Sequence, residues 1–214
     1  MSVVSKKYKL HYVSVPKVAC TSLKVFFFEL ENGFEFTPFR ANGKLFNIHR
    51  LYRPEPVNAS LLSNTIGMKR IAFVREPVQR FLSAYSNRVI HHRDMDNAQT
   101  LKPLAKKGLD PIPNIHTFID NFEHYCDYSK PIQHHTKPLT HFLGTDPSIY
   151  DRIFKLSEMK DFEQYIYELT GLKLTVPHLQ TGGPKIKADV LSKSELSKIS
   201  SIYQQDYSVF SEYF

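Results

Sequence analysis

A lysine and two hydroxyl residues lie close together near the start of the chain, in the sequence PKVACTS of residues 16–22. A β-branched and aromatic run at residues 10–15 precedes them and predicts a strand. An apolar stripe with helical spacing follows them: Leu23, Phe26, Phe27 and Leu30. A helix N-terminus offers unpaired N–H groups and a partial positive charge, to which Lys17 adds a full charge and Thr21 and Ser22 add hydroxyl donors. The spacing fits a phosphate-binding junction, and it equally fits an ordinary capped strand–helix connection.

A second strand–helix junction carries a cation at the same position. The apolar run at residues 70–74 predicts a buried strand, and Arg75 follows it directly. Glu76 and Pro77 then favour a helix start, because proline suits the first helical position and an acid suits that end of the helix dipole. Ligands of open α/β sheets bind at the carboxyl ends of the strands. We therefore expect the two junctions to form one shared anion site.

The remaining pattern predicts an α/β fold with three layers, similar to that of P-loop proteins. A short central parallel sheet should contain strands near residues 10–15, 70–74 and 152–156, with helices on both faces. Residues 91–114 and 129–148, rich in polar residues and prolines, predict irregular segments. Ser192 and Glu195 form a capping-box pattern that predicts the start of the last helix. No internal repeat is present, so we expect one domain over residues 1–214.

Composition limits the classes of partner. The 214 residues carry a formal charge of +7 and an isoelectric point of about 9.3, which suits an anionic ligand. The basic residues are scattered in runs no longer than two, which argues against nucleic acid as a partner. Only Cys20 and Cys126 are present, so no disulfide framework is expected. Neither a signal peptide nor an apolar stretch of about 18 residues is evident, which predicts a soluble, cytoplasmic protein.

Several segments resemble one enzyme family. The sequence PKVACTSLK at residues 16–24 resembles the 5′-phosphosulfate loop of carbohydrate sulfotransferases that use 3′-phosphoadenosine 5′-phosphosulfate (PAPS). The sequence FVREPVQRFLSAY at residues 73–85 resembles their 3′-phosphate element, and residues 135–138 and 191–210 are similar to later segments of the family. The resemblance covers residues 10–214. It points to sulfotransferase family 2, the chondroitin, dermatan, HNK-1 and uronyl 2-O type, and to a compact, soluble, bacterial-like member without the membrane anchor and disulfides of Golgi relatives.

The resemblance implies a role for each motif. The first loop would wrap the 5′-phosphosulfate through the residues Lys17, Val18, Ala19, Cys20, Thr21 and Ser22. Lys17 would stabilise the charge that develops on the leaving phosphate. Arg75 and Ser83 would hold the 3′-phosphate, and Lys185 lies in a segment that returns over the nucleotide in the family. Plain structural roles remain open for Arg75 as an ion-pair partner of Glu76, for Ser83 as a packing hydroxyl and for Lys185 in a solvated loop.

A hydroxyl acceptor needs a base, and histidine suits that task near neutral pH. His49 is the favoured candidate because related sulfotransferases place a histidine ahead of the second strand. His135 is the second candidate, with a role on the acceptor side or in the core as its alternative. The adjacent pairs His91–His92 and His134–His135 do not predict a metal site, because neighbouring residues point apart on regular elements.

These observations predict a PAPS-dependent sulfotransferase that modifies a carbohydrate hydroxyl, on a glycan or a glycolipid, without a metal. A nucleotide-binding adaptor of the same fold without catalysis is the main alternative. A P-loop kinase is weaker, because the glycine-rich loop and an aspartate for magnesium after the second strand are missing. Ser22-Leu23 stand where the family often has Asn-Trp, and Leu139 stands where glutamine is usual. These departures leave the acceptor, and also the oligomeric state, open.

Overall fold

The computed structural model describes residues 2–53, 55–179 and 182–214. The chain divides into two compact units that are each built from separated segments. We call the first the sheet unit; it comprises Met1–Arg75, Leu139–Gln180 and Val209–Phe214. We call the second the helical unit; it comprises Glu76–Pro138 and Thr181–Ser208. The predicted strand–loop–helix junction at residues 10–30 lies entirely in the sheet unit.

The strands of the described residues are β1 (Val3–Ser5), β2 (Leu10–Val13), β3 (Phe39–Ala41), β4 (Lys44–Phe46), β5 (Lys69–Val74) and β6 (Arg152–Lys155). Four of them form one sheet in the order β1-β2-β5-β6. Strands β2, β5 and β6 are parallel to one another, with Tyr12 opposite Ile71 and Ile71 opposite Arg152. This confirms the predicted α/β class with a short, mostly parallel sheet. The antiparallel edge strand β1 and the separate β3–β4 hairpin were not predicted.

The α-helices, listed in chain order, are α1 (Cys20–Asn32), α2 (Ile48–Leu51), α3 (Ala59–Asn64), α4 (Pro77–Ala84), α5 (Ala98–Lys106), α6 (Ile115–Asp120), α7 (Phe122–Tyr128), α8 (Lys130–Thr136), α9 (Leu139–Leu143), α10 (Met159–Thr170), α11 (Lys193–Ile202) and α12 (Gln204–Phe210). A π-helix at Tyr85–His91 continues α4. The capping box of Ser192 and Glu195 begins α11 as predicted. Gly171 ends α10 in the left-handed conformation, with φ at 71°, where a glycine is favoured.

An aromatic cluster forms the core of the sheet unit. Phe162 of α10 lies at its centre, with ring centroids 5.2 Å from Phe26, 5.9 Å from Phe27, 5.0 Å from Phe73 and 5.5 Å from Phe154. All five rings are buried. Helix α1 is therefore held against the sheet by its Phe26–Phe27 face, which leaves its N-terminus at the carboxyl end of β2.

Two sequence-based predictions about irregular segments were wrong. Residues 91–114 contain α5, which Asn97 caps through its side chain and which buries Leu104 against the helical unit. Residues 129–148 contain α8 and α9, with Ile132 and Phe142 buried. Prolines misled the prediction: Pro131 begins α8 within its first turn, where proline is tolerated. Pro103 lies inside α5, where burial of the neighbouring apolar side chain outweighs its helix-breaking tendency.

Candidate functional site

The loop between β2 and α1 has an unusual backbone. Lys17 and Ala19 both adopt left-handed conformations, with φ at 69° and 58°. Side chains with a Cβ rarely occupy this region, and each such residue costs about 1–2 kcal/mol. Buried Val15 and Val18 anchor the loop in the core of the sheet unit, which holds the strained residues in place. Strain of this kind concentrates at ligand-binding loops, and here it produces without glycine the alternating backbone that phosphate loops use to turn N–H groups toward an anion.

The N-terminus of α1 suits a negative ligand. Ala19 is its N-cap residue and provides no side-chain hydrogen bond to the helix. The first turn contains no acidic residue, so the helix supplies no carboxylate of its own to neutralise the positive end of its dipole. Lys17, Cys20 and Thr21 are only half-buried, so this end of the helix remains accessible. Charge, dipole and backbone all favour an anion at the same place.

Ser22 has a structural partner that its sequence position did not suggest. Its hydroxyl oxygen accepts a hydrogen bond of 3.2 Å from the backbone N–H of Leu179. Ser22 is nearly fully buried. The loop is thereby joined to the segment that follows α10, and the hydroxyl proton of Ser22 is left to donate elsewhere.

The structure brings His49 to the loop. Nε2 of His49 lies 2.8 Å from Oγ1 of Thr21, although 28 residues separate them in sequence. Helix α2 places the imidazole there, and Asn47 begins this helix by accepting a 3.1 Å hydrogen bond from the N–H of Arg50. The favoured base candidate therefore touches a residue of the predicted phosphosulfate loop.

Lys24 completes this group, and sequence reasoning missed it. Its side chain is fully buried, and its Nζ lies 3.3 Å from Nδ1 of His49. Burial lowers the pKa of Lys24 below its ordinary 10.5, while the nearby Cys20 acts in the opposite direction. A signal was present in the sequence: Thr21 and Lys24 are three residues apart, so they share one face of α1. Lysine is almost never fully buried, so the spacing alone gave no reason to place Lys24 in the interior.

Arg75 follows the carboxyl end of β5, the strand that pairs directly with β2. Since the two strands are parallel, Arg75 and the Lys17 loop both follow carboxyl ends of strands at the same side of the sheet, as the shared-site hypothesis requires. The carboxylate of Glu76 caps α4 by accepting hydrogen bonds of 3.0 Å and 2.8 Å from the N–H groups of Val78 and Gln79. This use of Glu76 confirms the predicted helix start.

The other predicted site residues belong to the helical unit. Ser83 lies in the second turn of α4 and His135 near the end of α8, and both are half-buried. Lys185 is exposed. Its segment is held against the π-helix, where the hydroxyl of Ser86 donates a 2.6 Å hydrogen bond to the carbonyl of Pro184. The segment containing Lys185 is therefore attached to the π-helix of the helical unit through Pro184, while Lys185 itself is exposed.

The described residues contain neither a group of side chains suited to a metal ion nor a helix suited to cross a membrane. No three or more histidine, cysteine, aspartate or glutamate side chains within them are grouped so that they could hold a metal ion. No helix in the same part of the chain has both the length and the apolar character needed to cross a membrane.

Comparison with known proteins decides the family. The model of the sulfotransferase family matches residues 1–213. The chain belongs to the sulfotransferase family. This match confirms the resemblance to sulfotransferase family 2 that the sequence predicted, and it indicates an enzyme that transfers a sulfuryl group to an acceptor. Searches of curated proteins and of solved structures find no match.

Replacing Ala19 with glycine tests the strain in the sulfotransferase loop. We expect the Ala19→Gly variant to gain about 0.5–1 kcal/mol in free energy of unfolding, because glycine adopts φ near 58° without a steric penalty. Ala105, an exposed residue of helix α5, is the matched control, and its replacement by glycine should lose about 0.5–1 kcal/mol. Urea unfolding measures both values, and equal losses in the two variants would contradict the assignment of strain.

Proposed function

We propose that this sulfotransferase moves the sulfuryl group of PAPS to a carbohydrate hydroxyl. The loop between β2 and α1 is the observation that carries the proposal. It combines two left-handed residues, a helix N-terminus without acids and the cation of Lys17. This combination suits a phosphosulfate anion, whose oxygens accept hydrogen bonds from backbone N–H groups.

The residues that would hold the donor follow from the motifs and from their places in the fold. Lys17, Val18, Ala19, Cys20, Thr21 and Ser22 would surround the 5′-phosphosulfate. Arg75, at the same sheet edge, would bind the 3′-phosphate through its guanidinium fork, with Ser83 and Lys185 of the helical unit as further ligands. Sulfuryl carries less charge than phosphoryl, so Lys17 would supply the stabilisation that a metal provides in kinases.

His49 would act as the base. In the transfer, an S–O bond to the acceptor oxygen forms while the S–O bond to the 5′-phosphate breaks, and the hydroxyl proton passes to His49. The contact between His49 and Thr21 supports this role, because it keeps the imidazole beside the loop that would hold the sulfuryl group. His135 of the helical unit stays the second candidate.

An aromatic and basic surface supports a carbohydrate acceptor. Phe39 and Phe46 of the β3–β4 hairpin stack with ring centroids 5.2 Å apart, and the guanidinium of Arg50 lies over Phe46 at 5.6 Å. Phe39 is 54% exposed, and Arg40 and Lys44 beside it are exposed as well. Exposed apolar patches of this kind mark binding surfaces. Flat rings suit the apolar faces of sugars, while the cations suit the acidic groups of many glycans.

The family match covers residues 1–213, a range that includes segments of both units, which supports one sulfotransferase domain over the chain. The two cysteines, Cys20 and Cys126, are not joined to each other. We propose a cytoplasmic enzyme that uses neither a metal nor nucleic acid.

Thermal unfolding with nucleotides tests the donor site. At about 100 times its dissociation constant, 3′-phosphoadenosine 5′-phosphate (PAP) should stabilise the protein by about 2.7 kcal/mol, which corresponds to a rise in Tm of about 5–10 °C for a chain of this size. AMP, which lacks the 3′-phosphate, should give a smaller rise. The Arg75→Gln variant should lose the difference between PAP and AMP, because it loses the ligand of the 3′-phosphate.

Arg152→Gln is the matched control. Arg152 is the first residue of β6, so it lies at the amino end of a parallel strand, whereas Arg75 follows a carboxyl end. Its replacement should therefore leave the difference between PAP and AMP unchanged. A rise with ATP and magnesium alone would overturn the proposal in favour of a kinase. A rise with PAP, combined with no turnover for any hydroxyl acceptor, would support the adaptor instead.

A further inference from the structure

An open cleft of about 560 Å³ lies where the edge strand β1 meets the helices α2 and α3. Its volume falls within the range of about 300–1,000 Å³ that is typical of small-molecule sites. Its lining includes Ser2 and Val4 at β1, Leu51 at the end of α2, and Leu61 and Asn64 on α3. All of these elements belong to the sheet unit. None of the residues proposed above to bind the donor lines the cleft, so it is a separate feature of the molecule.

The cleft lies at the end of the sheet that carries the donor loop. In the antiparallel pairing of β1 with β2, Val3 lies opposite Tyr12, so Ser2 is level with the carboxyl end of β2. The loop between β2 and α1 follows that same end. Leu51 comes two residues after His49 on α2, and an α-helix rises only about 1.5 Å per residue. An acceptor that brings one hydroxyl to His49 therefore has the cleft close by for a neighbouring unit.

The lining of the cleft contains no cation, although the chain as a whole is positively charged. Asn64 supplies an amide and Ser60 a hydroxyl, and such groups both donate and accept hydrogen bonds. Nδ2 of Asn64 lies 3.5 Å from Oγ of Ser60, at the limit of a hydrogen bond, and both residues are exposed. Glu55 adds a carboxylate acceptor, and no lysine or arginine is among the described lining residues. This lining favours a neutral ligand with hydroxyl groups over an anion, whose desolvation no lining cation would offset.

Apolar surface and a buried hydroxyl complete the cleft. The side chain of Leu51 is exposed and that of Tyr52 is half-buried, so both offer surface to the C–H groups of a ligand. Ser2 is nearly fully buried, and its hydroxyl oxygen has no hydrogen-bond partner within the part of the chain that the structure describes. An unpaired buried hydroxyl costs free energy. A ligand rich in hydroxyl groups would bring hydrogen-bonding partners to this side of β1.

We propose that the cleft binds a neutral sugar unit of the acceptor, a unit without carboxylate or sulfate. This inference deepens the proposed function and rests on it as far as the acceptor is concerned. A pyranose has hydroxyl groups that match the amide, hydroxyl and carboxylate of the lining, and a C–H face that suits Leu51 and Tyr52. The aromatic and basic hairpin β3–β4 would contact charged units, whereas the cleft selects an uncharged one.

Nuclear magnetic resonance of ¹⁵N-labelled protein without donor tests the proposal. The neutral probes are the methyl β-glycosides of glucose, galactose and N-acetylglucosamine. The charged probe is methyl β-glucuronide, which differs from the glucoside only by a carboxylate at C6. We expect a neutral glycoside to shift the signals of residues 58–64 and of the Asn64 side-chain amide. The glucuronide should bind at least about tenfold more weakly than the glucoside, because no lining cation compensates its charge.

Two lysine substitutions on α3 test the cleft residue by residue. Asn64→Lys removes the amide from the lining and adds a cation. It should weaken binding of the neutral glycoside by about two- to tenfold, the effect of one lost hydrogen bond, and it should strengthen binding of the glucuronide. Ser63→Lys adds the same charge at the adjacent exposed residue, which does not line the cleft, and should leave both affinities unchanged.

The proposal is overturned if none of the three neutral glycosides shifts the signals of residues 58–64 in the wild type, a result that needs no variant to fold. It is also overturned if the glucuronide binds as tightly as the glucoside, or if the two lysine variants change the affinities equally. No measurement here uses the donor, so failure is distinguishable from failure of PAP to stabilise the protein. Should a neutral glycoside bind the cleft while PAP has no effect, the sugar site would stand and the proposed donor site would be wrong.

Discussion

Replacing Lys17 with alanine is expected to lower the turnover number by about 10²–10³-fold, the loss typical for one preorganised charge-stabilising group. The charge that Lys17 would stabilise develops on the leaving phosphate as the S–O bond breaks, so its removal affects the transition state more than the ground state. The affinity for PAP, measured by calorimetry, should fall less than the turnover number. PAP release from PAPS in the presence of an active acceptor measures the reaction.

Lys9 provides a matched control for this substitution. It is also a lysine in the left-handed conformation, with φ at 52°, and it precedes β2 at the end opposite the loop. Lys9→Ala therefore makes the same backbone and charge change in the sheet unit, and turnover should stay at the wild-type level. Equal losses in Lys9→Ala and Lys17→Ala would show a general effect of charge or stability and would remove Lys17 from the site.

Mild acid should destabilise the protein through one buried histidine. His11 of β2 is fully buried, and its Nδ1 accepts a 3.2 Å hydrogen bond from Nε of Arg70. Burial, followed by the charge of Arg70, lowers the pKa of His11 to about 4. The unfolded chain binds this proton near pH 6.5, so stability is complete above that pH and falls as the pH drops toward 4. The shift corresponds to about 3 kcal/mol of unfolding free energy.

His11→Asn isolates this contribution. Asparagine places an oxygen near the position of Nδ1, so Arg70 keeps an acceptor, but the new side chain does not titrate in this range. The variant should be less stable than the wild type at pH 7, because it leaves space in the core, and its loss between pH 6.5 and 4 should be smaller by about 3 kcal/mol. Urea unfolding at several pH values measures both curves. Parallel curves would show that His11 has the same pKa in the folded and in the unfolded protein.

The parallel sheet and the loop could be predicted because their signals are local. Strands β2 and β5 are short, largely apolar runs with a cation within four residues of their carboxyl ends, and α1 has a clear apolar face. Strand β1 escaped prediction because it is three residues long, within a polar and basic segment. Its pairing with β2 depends on a turn at residues 6–9. In this turn Lys9 adopts a left-handed conformation, which the sequence does not predict because the residue is not a glycine.

The group around His49 could be predicted only in part. The family resemblance nominated His49, but its contact with Thr21 joins residues 28 positions apart and depends on how α2 docks on α1. The place of Lys24 in this group was not predicted, for a different reason. Composition-based rules place lysine at the surface, whereas the Nζ of Lys24 has a partner in the interior, the imidazole of His49, which α2 contributes.

The backbone strain of the glycine-free loop lowers the stability of the protein but favours its affinity for the donor. Lys17 and Ala19 are kept in left-handed conformations by the packing of the neighbouring valines, so the loop is ordered before any ligand arrives. A preorganised loop loses little conformational entropy on binding, whereas a glycine loop must be ordered by its ligand. Substitutions that relax this backbone should therefore yield a more stable protein that binds its donor more weakly. Selection for thermal stability alone would therefore weaken the binding of the donor.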